Sequence, residues 1–116
     1  MQKKVLLFDD NITILNSLNK TLSKSGYYVE AYEDPCDFKG TYDSWDVVVT
    51  DVTMRVEDCW EVILKTKRQN PQTKVIVISG NSDKEDFFAI AKNLDADGFL
   101  SKPFSTKELI HKIEMI

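Results

Sequence analysis

Five polar residues follow four short apolar runs: Asp9 and Asp10 after Val5-Leu6-Leu7-Phe8, Asp51 after Val47-Val48-Val49, Ser79 after Val75-Ile76-Val77-Ile78, and Lys102 after Phe99-Leu100. If the runs are parallel strands of one sheet, these groups emerge together at the carboxyl edge, where open α/β sheets carry their ligands and chemistry. Three carboxylates gathered there repel one another, because two like charges about 4 Å apart cost several kcal/mol at an intermediate dielectric. A hard divalent cation, Mg²⁺ or Mn²⁺, relieves that repulsion, and Mg²⁺ keeps room for water and phosphate oxygens beside one or two carboxylates. With Lys102 reaching in from the other side, an aspartate could attack phosphorus, and Ser79 could donate a hydrogen bond to a remaining phosphoryl oxygen. Taken singly, Asp10 or Asn11 reads as a helix cap and the others as surface charges. Their joint placement at matching strand ends is what points to a site.

The elements that must position these residues alternate between two periods. Strand signals lie near 4–8, 28–32, 46–50, 74–78 and 98–101, and their continuous apolar runs suit strands covered on both faces. Leu15, Leu18 and Leu22 give a first helix its buried stripe, and Gly26 is placed to end it near Lys24-Ser25. A short helix is expected after Pro35. A third carries Trp60, Ile63 and Leu64 and stops before Pro71. A fourth carries Phe87, Ile90, Ala91 and Leu94 behind an Asn81-Ser82-Asp83 start, and a fifth runs from Ser105 through Leu109, Ile113 and Ile116 with Ser105 and Glu108 spaced as a capping box. Five strands alternating with five helices predict an α/β, doubly wound parallel sheet of flavodoxin-like order 2-1-3-4-5. Its crevice, between strands one and three, would hold Asp9, Asp10 and Asp51.

The 116 residues suit a single domain, 1–116, able to bury a core without staples. Apolar residues make up 42% and charged residues 29%, as in ordinary soluble domains. A net charge of −4, from 19 acidic and 15 basic residues, argues against unaided nucleic-acid binding, which rests on cationic contacts to phosphates. No apolar stretch approaches the roughly 18 residues of a membrane span. Cys36 and Cys59 stand apart without a secretory signal, which predicts two reduced thiols and a cytoplasmic location.

The motifs Phe8-Asp9-Asp10-Asn11, Asp51-Val52-Thr53-Met54, Ile78-Ser79-Gly80 and Gly98-Phe99-Leu100-Ser101-Lys102-Pro103-Phe104 resemble, over essentially the whole chain, the receiver domain of two-component response regulators. That resemblance implies that Asp51 is a phosphoacceptor, taking a phosphoryl group from a sensor histidine kinase or phosphotransfer protein. Asp9 and Asp10 would position Mg²⁺ (or Mn²⁺), with Asp51 and the Thr53 backbone carbonyl as further ligands and Lys102 on the phosphoryl oxygens. Ser79 and Phe99 match the family's switch pair. The resemblance also implies a cis peptide at Lys102-Pro103 and catalysis limited to the domain's own phosphorylation and dephosphorylation, so the chain is not expected to be an enzyme. Output would be read on the face of the fourth helix, fifth strand and fifth helix, by a homodimer or an effector touching Phe88. A stand-alone regulator and the amino-terminal piece of a longer one with a C-terminal output domain both remain open.

Two positions depart from the family pattern: Arg55 stands where proline is usual and Cys59 where glycine is usual. Proline would fix a dihedral and glycine would allow a positive φ, so the loop after Asp51 is the segment these residues affect. Arg55 reads either as a solvated loop charge or as an extra cation at the site. His111 reads as a surface residue, and Asp83-Lys84-Glu85-Asp86 as a first helical turn suited to the dipole. Phe88 lies beside the apolar stripe of its helix, either facing solvent or buried by a small rotation.

Other function classes fit less well. A haloacid-dehalogenase-like phosphatase needs D-x-D after the first strand, where this chain has Asp9-Asp10-Asn11 and no room for a cap. A flavin carrier needs a hydroxyl- and glycine-rich phosphate loop there, and the two acids would repel it. A degenerate receiver acting as a phosphorylation-independent docking module is supported only by Arg55 and Cys59.

Overall fold

Strands covered on both faces bury whole apolar runs, and the computed structural model places three such runs at the centre of one sheet. The structure describes residues 2–52, 56–80 and 84–116. Chain order is β1 (Lys4–Phe8), α1 (Ile12–Lys24), β2 (Tyr28–Tyr32), a 3₁₀ turn (Pro35–Asp37), β3 (Val47–Asp51), α2 (Val56–Gln69), β4 (Lys74–Ser79), α3 (Lys84–Asn93), β5 (Gly98–Ser101) and α4 (Thr106–Met115). All pairings are parallel and the spatial order is β2-β1-β3-β4-β5, as the alternation of periods predicts. The β3 and β4 residues are almost wholly buried, whereas edge strand β2 is only half covered, so its residues depart from the two-sided burial expected of it.

Two cores flank the sheet. On one face Leu15, Leu18 and Leu22 of α1 and Leu109 and Ile113 of α4 pack on Val5, Leu7, Val47, Val49, Ile76 and Ile78. On the other, Val62 and Ile63 of α2 and Ala91 of α3 join Leu6, Val48, Val75 and Val77. Asn11 caps α1 by accepting from the backbone N–H groups of Thr13 and Ile14, and Gly26 follows its end at φ +100°. Ser105 and Glu108 form the expected reciprocal capping box on α4.

The helix count needs a correction: the described residues contain four α-helices, and the expected second helix is a three-residue 3₁₀ turn. Asp34 accepts from the Cys36 N–H to start it, and Phe38 is already extended. What covers the sheet here is a set of rings. Phe38 lies 6.1 Å from Phe8, 5.2 Å from Tyr42 and 6.3 Å from Trp45, centroid to centroid. A Cβ on Gly40 would come within 2.9 Å of the Phe38 ring, so glycine is what lets the chain fold back over it. Aromatic burial in this segment replaces the apolar stripe a helix would have supplied. The outer helical positions also differ from the sequence reading, since Leu64 (42% exposed) and Ile90 (44%) face solvent.

Candidate phosphoryl-transfer site at the carboxyl edge

The sheet register brings the predicted acids to one place. Phe8 pairs with Thr50 and Asp51 with Ile78, so Asp9 and Asp51 leave neighbouring strands at the same level and Ser79 follows one residue further along β4. Carboxylate oxygens of Asp9, Asp10 and Asp51 lie within 4.8 Å of one another. Asp9 and Asp51 are buried and Asp10 is exposed at the mouth. Lys102, beyond β5, sends its ammonium into the same space, where Nζ pairs with Asp51 and lies 3.2 Å from Asp9 Oδ2.

The electrostatics follow from that crowding. Burial, followed by the charge of Asp51, raises the Asp9 pKa to about 6, although the Asn11 N–H donates to Oδ1 at 2.9 Å and opposes the rise. Burial works against the Lys102 ammonium, but its pairing with Asp51 and Asp9 outweighs this and leaves its pKa above the ordinary lysine value. Among the described residues, three carboxylates against one ammonium leave excess negative charge in the site. A set of hard oxygen donors at this spacing, with the cation on one side only, fits a divalent metal ion with room for water or phosphate oxygens.

Ser79 is fully buried at the end of β4, and its carbonyl accepts from the Lys102 N–H at 2.9 Å. The Lys102–Pro103 peptide is cis. Phe99, half-buried on β5, packs against Phe88 of α3 with ring centroids 5.2 Å apart, so Phe88 is neither bare nor fully buried. Thr53, Arg55 and the Asn81-Ser82-Asp83 start lie outside the described residues. Cys59 falls inside α2, where φ is negative, so this position makes no demand for glycine, and burial pushes its thiol up to about 12. His111 is exposed on α4.

Two contributors escape a reading of residue types alone. Asn11 acts through its backbone N–H on Asp9 as well as capping α1. Gly80 lies so near the Lys102 stem that a Cβ there would approach Lys102 Cβ to 3.2 Å, which makes a side chain at 80 a way to displace the ammonium. Adjacency of glycine to the Ser79 strand end was the available signal. A cavity of about 700 Å³ opens beside Lys102, lined by Ile14 and Leu18 of α1 and by Pro103 and Phe104.

Known proteins match this arrangement. The response regulator receiver domain profile matches residues 5–114. The regulatory protein VirG of Agrobacterium tumefaciens is 32% identical over 117 residues, covering 97% of this chain and 43% of that protein. The response regulator receiver protein CpdR of Brucella abortus is 29% identical, covering 97% of this chain and 94% of its own. The BeF3-activated receiver domain of DrrB superposes with a TM-score of 0.84 at 26% identity, covering 98% and 96% of the two chains. The chain spans about half the length of several curated relatives it matches. Among the described residues no helix is long and apolar enough to cross a membrane. By sequence and by fold, the chain belongs to the response regulator receiver domain family.

Proposed function

We propose that the chain is a phosphorylation-controlled switch in which Asp51 accepts a phosphoryl group from the phosphohistidine of a sensor kinase or phosphotransfer protein. The observation that carries this is the burial of Asp51 at the end of β3, paired with Lys102 and within reach of Asp9 and Asp10. Attack by an Asp51 oxygen forms a P–O bond as the donor's P–N bond breaks, and the electron pair leaves with the imidazole. Lys102 pairs with the phosphoryl oxygens as they arrive, and the Ser79 hydroxyl donates to one of them. Asp10 and Asp51, with Asp9 behind them and the Thr53 carbonyl, would hold Mg²⁺ (or Mn²⁺), which when bound neutralises phosphoryl charge. The cleft between α1 and Pro103-Phe104 would give the donor protein an apolar ledge beside Lys102. Catalysis would extend no further than the domain's own phosphorylation and hydrolysis, in the cytoplasm, without direct contact to nucleic acid or membrane.

Intact mass after incubation with Mg²⁺ and acetyl phosphate tests the assignment. Wild type gains one phosphate, Asp51→Asn gains none, and a gain that persists unchanged in that variant overturns it. The output reading rests on the Phe88–Phe99 contact. When Ser79 turns to the phosphoryl group, space opens for Phe99 to turn inward and leave Phe88, shifting a two-state equilibrium on the face of α3, β5 and α4. An effector, a second copy or a C-terminal output domain would read that face. Amide exchange with and without beryllofluoride should differ across residues 84–110. Changes confined to the segment after Asp51 would instead favour a docking module.

A further inference from the structure

The outer surface of α2 belongs neither to the acidic site nor to the face of α3, β5 and α4. Its solvent side carries Glu61, Leu64, Lys65 and Arg68, with Trp60 half-buried at its border. These residues line an open cavity of about 360 Å³. Across the groove Phe87 of α3 lies 6.3 Å from the Trp60 ring, centroid to centroid, and Ile90, one turn further on, is 44% exposed. Leu64 and Ile90 are thus two large apolar side chains left open on adjacent helices.

Charge along α2 says what fits there. On its solvent side the first half carries Glu61 and the second half Lys65 and Arg68, whereas Lys67 turns inward to Asp97. Such a helix is complementary to itself when reversed. We propose that this face docks a second copy of the chain, with the two α2 helices antiparallel about a two-fold axis near Val62–Ile63. That axis sets Glu61 of each copy against Lys65 of the other and brings Trp60 against Leu64 within one turn. Antiparallel packing also opposes the two helix dipoles favourably. Within one copy Glu61 and Lys65 already pair at 3.1 Å on the open surface, so a switch to the intermolecular partner exchanges like for like. The apolar pair, shielded by those charges, supplies the attraction.

A helix of 14 residues is about 21 Å long, so the patch sits at the low end of specific interfaces and the association is weak. This surface is separate from the proposed output face, and self-association through it needs no phosphoryl group.

Sedimentation velocity of the unphosphorylated chain from micromolar to millimolar concentration is the test. A monomer–dimer equilibrium is expected, and Leu64→Glu should raise its dissociation constant by at least about tenfold. Glu61→Lys and Lys65→Glu should each weaken the dimer, and the double variant Glu61→Lys/Lys65→Glu should recover it, which a merely misfolded variant cannot do. A chain that stays monomeric throughout overturns the proposal. So does a dimer that is indifferent to Leu64→Glu but lost in Phe88→Glu, since it would be formed through the output face.

Discussion

Each end of the sheet holds a lysine paired with an aspartate, and the two pairs behave in opposite ways. At the amino end Lys67 of α2 meets Asp97 at 2.7 Å, and its Nζ also donates to the carbonyls of Thr73 (2.9 Å) and Pro71 (3.3 Å). Asp97 in turn accepts from the Val75 N–H at 2.9 Å. One positive charge faces one negative charge, and their remaining bonding capacity is met by backbone at the starts of β4 and β5. At the carboxyl end Lys102 faces three carboxylates, two of them buried. The first arrangement ties α2 to the sheet. The second stores repulsion among carboxylates that a divalent cation can relieve, so affinity for such an ion is built from instability in its absence.

The largest stability effect should therefore appear far from the chemistry. Lys67→Met removes a cation whose side chain is only 14% exposed and strands Asp97 together with two carbonyls. Loss of a fully buried pair costs about 3–5 kcal/mol, and the partial exposure here reduces that to about 2–3 kcal/mol. Urea unfolding with and without Mg²⁺ measures it, and the loss should be the same in both. A loss that Mg²⁺ repairs would mean that the two ends of the sheet are not independent.

The opposite sign is expected at the other end. The Asp9 carboxyl, raised from 3.8 to about 6, holds its proton more tightly in the folded chain than in the unfolded one. Folded-state stability without metal therefore falls as pH rises from about 4 to about 6, and stays lowered above that. Asp9→Asn removes the cost, so in chelator at pH 7 the variant should exceed wild type by about 2 kcal/mol. The gap should close as pH drops to about 4, and shrink when Mg²⁺ is added. A variant less stable than wild type at pH 7 would show that the Asp9–Lys102 attraction outweighs burial.

The contrast between the two ends also marks what a sequence discloses. The carboxyl-edge groups are legible because each lies within two residues of the end of an apolar run, and parallel pairing brings run ends to one edge whatever the loops do. Lys67 and Asp97 are 30 residues apart and look like ordinary surface charges, because only the packing of α2 across the starts of β4 and β5 unites them. The 3₁₀ turn after Asp34 was hidden for a related reason. Pro35 is equally at home opening a helix, and what halts one is the ring packing of Phe38, Tyr42 and Trp45, a tertiary effect. Leu64 and Ile90 satisfied helical spacing while lying just outside the buried stripe, which spacing alone places only to within about one residue.

The smallest effect separates the two acids of the pair. Asp9 is committed within the protein: Oδ1 accepts from the Asn11 N–H, and Oδ2 lies 3.2 Å from Lys102 Nζ. Asp10 is exposed at the mouth, with an oxygen within 4.8 Å of the other two carboxylates. A hard cation should take direct bonds from the more accessible carboxylate and feel the committed one through water. Asp10→Ala should then weaken Mg²⁺ binding about tenfold more than Asp9→Ala does, a difference of about 1.4 kcal/mol. Titration calorimetry, with Trp60 fluorescence as a second readout, gives both constants. The comparison is biased against the expectation in one respect, because Asp9→Ala also frees Lys102 to pair more fully with Asp51 and compete with the ion. If Asp9→Ala proves the weaker binder even in a Lys102→Met background, where that competition is gone, Asp9 must exchange its bond to Asn11 for the metal, and the buried acid rather than the exposed one carries the ion.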